Sequence, residues 1–295
     1  MLSFFIYVLI NFLLLNKQKG EEMEHCIGFI GGGNMGRAIM SCLLKAELYQ
    51  PHQVMVYDAY TPVMEKLEES LHIKSTMDVT KLVKEAEIIV LAVKPQVLPD
   101  VLAELKDKID KNKLIISIAA GISIAQLEEM ISPEHHIVRV MSNTPALVGA
   151  AMTGVCLNKN VDEKEKKAVL SIFKALGRAE LITENLMDAV VGISGSSPAY
   201  VYMFINALAD GAVLEGMSKN QAYIFAAQAV LGSAKMVLES GYHPGELIDM
   251  VCSPGGTTIQ AVQVLEHNAF RSTVIEAVRA AATKNHDLGD QAENK

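Results

Sequence analysis

The chain has 295 residues, of which 50% are hydrophobic and 20% charged, and its formal net charge is -8. This length predicts two domains or one large one, and the composition can form a buried core. The acidic balance and the lack of a basic, aromatic-rich stripe argue against a nucleic-acid partner. The cysteines lie far apart, and no cysteine or histidine spacing indicates a metal site. We therefore expect reduced thiols in a cytoplasmic protein with no metal.

The first residues do not match the rest of the chain. Residues 2–15 are nearly all apolar, but a bilayer span needs about 20 such residues. A signal peptide would carry basic residues before the apolar run, whereas Lys17 and Lys19 follow it. We expect residues 1–22 to be an extension outside the fold, with the folded chain starting at Met23 and no membrane partner.

Residues 23–183 alternate short apolar runs with helical patterns. Continuous apolar strands separated by helices predict a parallel sheet covered on both faces, which is a Rossmann-type doubly wound α/β domain. The predicted strands lie at 26–31, 53–58, 86–93, 114–121 and 136–142, with another near 154–158, and the clearest helices at 34–46, 62–70 and 162–176.

Residues 184–285 show helical patterns only, which predicts an all-α second domain. A break at 195–197 precedes a long helix, and further helices are predicted at 219–239, from Pro244, at 257–267 and at 271–284. Several are apolar nearly all round, and such helices need cover on every side. We therefore expect subunits to pack against one another, and we expect residues 286–295 to form a frayed tail.

Three glycines carry the strongest motif. Gly31, Gly33 and Gly36 form a G-x-G-x-x-G pattern directly after a predicted strand and at the start of a predicted helix. Gly31 permits a tight turn, Gly33 lets a pyrophosphate approach the backbone, and Gly36 allows close packing of helix on strand. The helix start offers free N–H groups to the phosphates. The motif therefore predicts NADH or NADPH binding.

Asp58 ends the second predicted strand, at the spacing where an acid commonly holds the adenosine ribose hydroxyls. A carboxylate there repels a 2′-phosphate, and no arginine follows at once, so NADH is slightly favoured over NADPH. The alternative is a strand-end aspartate that only forms a local turn.

Small and polar residues end the later strands, in AVKP (92–95), AAG (119–121) and SNTP (142–145). Ligands of open parallel sheets bind outside the carboxyl ends of the strands, so these residues are predicted to border the cofactor. Lys94 can meet a phosphate or ribose or stay solvated, and the sequence leaves both open.

The helical part holds two breaks rich in small residues, SGSSPAY (194–200) and SPGGTT (253–258). Either alone is typical of a helix cap or hinge. Together they offer hydroxyls and free N–H groups, which suit a small carboxylate.

These motifs resemble pyrroline-5-carboxylate reductase, the last enzyme of proline synthesis. The resemblance covers about residues 24–284, and its most specific part is VCSPGGTTIQAVQVLE. One position departs, since the family usually has glycine where Ser197 stands. The family implies a helical domain that interlocks with its twin in a homodimer, and in many members five dimers form a decamer.

The resemblance also implies site residues. The substrate, pyrroline-5-carboxylate, would meet Glu184, Ser196, Gly256, Thr257 and Thr258, with Thr258 and Ser196 nearest the chemistry. Cofactor contacts would come from three stretches: Gly31, Gly33, Asn34, Met35 and Gly36; Ala92, Val93, Lys94 and Pro95; and, nearer the nicotinamide, Ala119, Ala120 and Asn143.

The implied reaction is hydride transfer from NAD(P)H to the C=N carbon of the cyclic imine. A protonated imine is already a strong electrophile, so the task is mainly to hold it near the nicotinamide. Two alternatives stay open: a related imine or hydroxy-acid reductase, and a protein that binds NAD(P) without turnover.

Overall fold

The computed structural model describes residues 26–293, with side chains described as far as Gly289. The predicted extension at residues 1–22 lies outside this range. By contacts, the chain divides into two units. The first comprises the described residues up to Gly195 together with those from Ala282 onward, and the second is Ser196–Ala281.

The first unit is built on an eight-stranded sheet of order β3-β2-β1-β4-β5-β6-β7-β8. All neighbouring strands are parallel except β6 and β7, which pair antiparallel. The strands are β1 (Ile27–Ile30), β2 (Val54–Tyr57), β3 (Lys74–Ser75), β4 (Ile88–Leu91), β5 (Leu114–Ser117), β6 (His136–Met141), β7 (Ala151–Leu157) and β8 (Gly177–Leu181).

Seven helices of this unit precede residue 196. They are α1 (Asn34–Lys45), α2 (Thr61–Leu71), α3 (Val79–Glu85), α4 (Leu98–Leu105), α5 (Ile124–Met130), α6 (Glu163–Lys174) and α7 (Met187–Val190). Side chains cap several of them: Asp78 begins α3, Ser123 begins α5, and Asp162 begins α6. Such caps satisfy backbone N–H groups that have no partner inside the helix.

The central strands are fully buried because helices cover both faces. The runs Ile27–Ile30, Ile88–Leu91 and Leu114–Ser117 are buried at every position. Two apolar clusters flank the sheet, one centred on α1 and the other on α3 and α4. The predicted Rossmann-type doubly wound fold is therefore confirmed. The expectation of parallel strands was wrong for β7, whose apolar run reveals burial but not direction.

The second unit consists of helices. They are α8 (Ser197–Leu214), α9 (Lys219–Glu239), α10 (Pro244–Val251), α11 (Thr257–His267) and α12 (Phe270–Glu293), the last of which continues into the first unit. Helices α8 and α9 pack through the small side chains Ala209, Ala222 and Ala226. Large apolar side chains such as Leu214 (87% exposed) and Ile224 (69%) find no cover among the described residues, as expected for helices that meet another subunit.

The contact-based division differs from the predicted boundary between residues 183 and 184. Helix α7 belongs to the first unit, where Met187 packs with Ile124 and Cys156. The frayed tail expected at residues 286–295 is also a correction, because α12 is helical through Glu293. None of the helices in the described part of the chain has the length and apolar character to cross a bilayer.

Candidate active site

The predicted cofactor residues come together at one edge of the sheet. Strands β1, β2, β4, β5 and β6 run parallel, so their carboxyl ends meet there. The residues directly after these five strands are Gly31, Asp58, Ala92, Ile118 and Ser142, and each is followed by predicted site residues or is one itself.

The glycine-rich turn is shaped by two close backbone approaches. Gly31 has φ 109°, and a Cβ there would lie 2.6 Å from the carbonyl oxygen of Ala92. A Cβ on Gly36 would lie 2.6 Å from the carbonyl oxygen of Gly31. Both distances are shorter than van der Waals contact, so only glycine fits. The turn thus packs tightly on the strand where the order of the sheet reverses.

The start of α1 fits a dinucleotide. Gly33 is its N-cap residue and provides no side-chain cap, and a Cβ on Gly33 would meet nothing within 4 Å. Among the described residues, the space beside Gly33 is therefore open, and it lies at the positive end of a 12-residue helix. Asn34 is exposed and Met35 half-buried. This is the cradle that a pyrophosphate requires.

Asp58 is tied into the same turn. Its Oδ2 accepts a hydrogen bond from the Gly32 N–H at 2.7 Å, and its Oδ1 accepts one from the Tyr60 N–H at 2.9 Å. The bond to Tyr60 is the local turn considered as an alternative, whereas the bond to Gly32 links β2 to the glycine-rich loop. The carboxylate lies half-buried beside the predicted ribose position.

The loops after β4 and β5 present small residues to this edge. Ala92 is half-buried, and Lys94 is exposed while its carbonyl accepts the Val97 N–H at 3.0 Å. Ala119 is buried, whereas Ala120 is exposed. Small side chains of this kind leave room for a flat ring next to the sheet.

Asn143 is buried and uses both ends of its amide. Its Nδ2 donates to the Ser194 carbonyl at 3.0 Å, and its Oδ1 accepts the Met152 N–H at 3.0 Å. Ser194 belongs to a π-helical turn, Val191–Gly195, that leads directly to Ser196. Turns of this kind are frequent at functional sites. Asn143 thus fixes the approach to the predicted substrate loop.

Glu184 has structural partners in the first unit. Its Oε1 accepts the Ile124 N–H at the start of α5 and the Nη1 of Arg139, both at 2.8 Å. Arg139 is buried on β6, and sequence reasoning missed it; a lone arginine in the apolar run HIVRVMS was the available signal. Burial and then Glu184 raise the pKa of the neighbouring Cys156 thiol to about 11.

The remaining predicted substrate residues lie in the second unit, at two helix starts. Ser196 is the half-buried N-cap of α8. Gly256 is the N-cap of α11, and no side chain caps that helix. A Cβ on Gly256 would lie 2.3 Å from the Ser253 Oγ, so the SPGG turn folds tightly on itself. Thr257 and Thr258 form the first turn of α11, exposed and half-buried respectively.

Within residues 26–293, His, Cys, Asp and Glu side chains form no group of three or more that could hold a metal ion. The polar groups at the edge of the sheet and at the two helix starts suit an organic cofactor and a small anionic substrate.

Two family models match the chain. Residues 184–288 match pyrroline-5-carboxylate reductase dimerisation, and residues 26–121 match NADP oxidoreductase coenzyme F420-dependent. Pyrroline-5-carboxylate reductase of Escherichia coli is 49% identical over 266 residues, which cover 90% of this chain and 99% of that protein.

The chain is also similar to solved structures of pyrroline-5-carboxylate reductases. Pyrroline carboxylate reductase of Plasmodium falciparum, with NADP bound, has a TM-score of 0.83 and 36% identity, covering 91% of this chain and 100% of that chain. The Coxiella burnetii pyrroline-5-carboxylate reductase has a TM-score of 0.85 and 35% identity, covering 90% and 99%.

The fold, the glycine cradle and these matches define a dinucleotide-dependent oxidoreductase with a helical dimerisation domain. Its reaction class is hydride transfer between NAD(P)H and a CH–NH group. The chain belongs to the pyrroline-5-carboxylate reductase family.

Proposed function

We propose that this chain reduces 1-pyrroline-5-carboxylate to L-proline, with the residues described above forming its site. Family membership over 90% of the chain is the observation that carries the reaction. The glycine cradle supports the cofactor class independently, because its close approaches and the helix start at Gly33 form the kind of turn that receives a pyrophosphate.

In this proposal the first unit holds the cofactor. The N–H groups of Gly33, Asn34 and Met35 bind the pyrophosphate, and the Ala92–Pro95 and Ala119–Ala120 stretches border the cofactor further along the sheet edge. NAD(P)H supplies the hydride when bound. The tightly packed Gly31 turn keeps these N–H groups in a fixed direction.

The second unit contributes all of the proposed substrate contacts except Glu184. Helix α11 directs its first N–H groups at the carboxylate of the imine, since an uncapped helix start attracts an anion. The Thr258 hydroxyl accepts a hydrogen bond from the protonated ring nitrogen or donates one to the carboxylate, and the Thr257 N–H assists. Ser196 is the N-cap residue of α8, but its hydroxyl makes no capping hydrogen bond to that helix. The hydroxyl can therefore contact the ring of the imine. A role for Glu184 would use its second oxygen, since Oε1 already accepts two hydrogen bonds.

The main task of these residues is to orient the imine against the nicotinamide. A protonated cyclic imine accepts a hydride at its C=N carbon without further activation, so near-attack positioning supplies most of the rate. The described residues that we propose for the site include no paired general acid and base, which is consistent with that demand.

The proposal extends to the preferred cofactor, the oligomeric state and the location of the protein. Asp58 favours NADH, because a carboxylate at the end of β2 repels a 2′-phosphate; the Plasmodium falciparum relative was solved with NADP. The exposed apolar helices support an interlocked homodimer and, by family analogy, five dimers in a decamer. We place the protein in the cytoplasm, in proline synthesis.

Steady-state kinetics of Thr258→Ala test the substrate site. Loss of a hydrogen bond to a charged group costs about 1.5–3 kcal/mol, so kcat/KM for the imine should fall roughly 10- to 150-fold while the KM for NADH stays constant. Thr258→Ser should recover most of the rate, because it keeps the hydroxyl.

Thr273→Ala is the matched control, since Thr273 is an exposed threonine on α12. An unchanged kcat/KM in Thr258→Ala would remove Thr258 from the mechanism. An equal loss in both variants would point to a general disturbance of the helical unit.

A further inference from the structure

The C-terminal end of α12 belongs to the cofactor-binding unit. Residues from Ala282 onward cluster with the sheet domain, although α12 begins at Phe270 in the helical unit. Asn285 is 5% exposed, whereas its neighbour Lys284 is exposed. One face of this last part of α12 is therefore packed against the first unit.

The packed face touches the loop after β5 at a contact between two glycines. Gly121 has φ 77°, and a Cβ on Gly289 would lie 3.0 Å from the Gly121 carbonyl oxygen. The buried Gln126 side chain donates from Nε2 to the Gly289 carbonyl at 3.2 Å. Gly121 directly follows Ala119 and Ala120, so the helix end rests on the loop that borders the proposed nicotinamide position.

The same face holds α7 through Asn285. The Asn285 Nδ2 donates to the Asp188 Oδ1 at 2.6 Å, and the ring of His286 lies 3.6 Å from the other oxygen of Asp188. Asp188 lies on α7, immediately before the π-helical turn that leads to Ser196. One helix end thus contacts two segments that both lead to the proposed site.

These contacts are polar and surround a small cavity of about 200 Å³. Its lining includes the buried side chains of Gln126, Arg139 and Asn285. Hydrogen bonds fix geometry more strictly than apolar packing does, because a partner shifted by an ångström leaves a buried polar group unpaired. The contact therefore specifies one position for the helix end.

We propose that the last turns of α12, Ala282–Gly289, are a positioning element for cofactor binding, with Asn285 as its positioning residue. By clamping Gly121 and Asp188, this segment holds the Ala119–Ala120 loop in the conformation that receives the nicotinamide. The inference rests on the proposed function and adds to it a set of residues that do not touch substrate or cofactor.

Calorimetric titration of the full-length protein with NADH and with NADPH tests this without turnover. Asn285→Ala should raise the Kd of the better-bound cofactor about tenfold, because it leaves Asp188 without its buried partner. Gly289→Ala should also weaken binding, since its Cβ displaces the Gly121 loop. Asn285→Asp should weaken cofactor binding, because it places a second carboxylate against that of Asp188. Adding Asp188→Asn should restore binding, because the amide and the carboxylate then face each other again with their positions exchanged.

Lys284→Ala is the control on the solvent side of the same helix and should bind as the wild type does. Melting temperatures are recorded for every variant. If Asn285→Ala and Gly289→Ala melt earlier but bind with the wild-type Kd, the segment only stabilises the fold and the inference is overturned. If the wild type binds neither NADH nor NADPH, the proposed function fails together with the inference built on it.

Discussion

Replacing Asp58 by asparagine separates two roles that one carboxylate combines. Its two oxygens accept the N–H groups of Gly32 and Tyr60 at 2.7 and 2.9 Å. Asparagine has the same shape but only one oxygen acceptor, so its NH₂ group must face one of these two N–H donors. The substitution also removes the negative charge beside the proposed ribose position.

The two effects differ in which cofactor they change. Losing a hydrogen bond from Gly32 to a charged acceptor costs about 1.5–3 kcal/mol, which distorts the glycine-rich loop for both cofactors. Removing the charge relieves repulsion of the 2′-phosphate only, worth about 1 kcal/mol or more near a solvated surface. We expect kcat/KM with NADH to fall roughly 10- to 150-fold, and the NADPH/NADH ratio of kcat/KM to rise at least about fivefold.

The assay follows NADH and NADPH oxidation separately with saturating pyrroline-5-carboxylate. Asp107→Asn, in the exposed turn after α4, controls for loss of one charge. An unchanged kcat/KM with NADH would refute the role of Asp58 in shaping the loop. An unchanged ratio between the two cofactors would refute its role in selecting NADH.

Three further substitutions or reactions test the packing. Gly31→Ala should abolish NADH binding and lower the free energy of unfolding by about 1–3 kcal/mol, because its Cβ meets the Ala92 carbonyl at a positive φ; normal binding by calorimetry would contradict this. Tyr49→Phe should leave that free energy equal or raise it by about 1 kcal/mol in urea titration, since the buried hydroxyl has no hydrogen-bond partner among the described residues; a clear loss would reveal a partner. Cys156 should react with a thiol reagent at pH 8 only after unfolding, because its side chain is buried and burial raises its pKa to about 11. Rapid labelling of Cys156 itself in the native protein, located by peptide mapping, would show that β7 is accessible.

The sequence predicted the elements whose signals are strong and local. Helices 219–239 and 257–267 agree with the structure to the residue, because a serine or glycine marks each start and the apolar pattern is long. The short helices α3, α4 and α5 and the two-residue strand β3 were missed, since seven or eight residues give a weak periodicity.

For the candidate site, the sequence predicted the conformation of the glycine-rich turn but not the hydrogen bonds that hold the neighbouring residues in place. The glycine spacing of a G-x-G-x-x-G pattern is enough to predict the backbone conformation of the turn. The hydrogen bonds from Gly32 to Asp58 and from Arg139 to Glu184 join residues that are distant in sequence, so no local pattern predicts them. The tail looked frayed because most of its residues are polar, and only the fold shows that the Gly289 carbonyl within it accepts a hydrogen bond from Gln126. The polarity of such residues does not show whether they pack against the rest of the fold.

The most direct test of the account is turnover itself. The purified full-length protein is mixed with 1-pyrroline-5-carboxylate and either NADH or NADPH, and both cofactor oxidation and L-proline are measured. We predict one L-proline formed per cofactor oxidised, with NADH preferred. Cofactor binding without oxidation on adding the imine would contradict the account and leave an NAD(P)-binding protein that does not reduce this substrate.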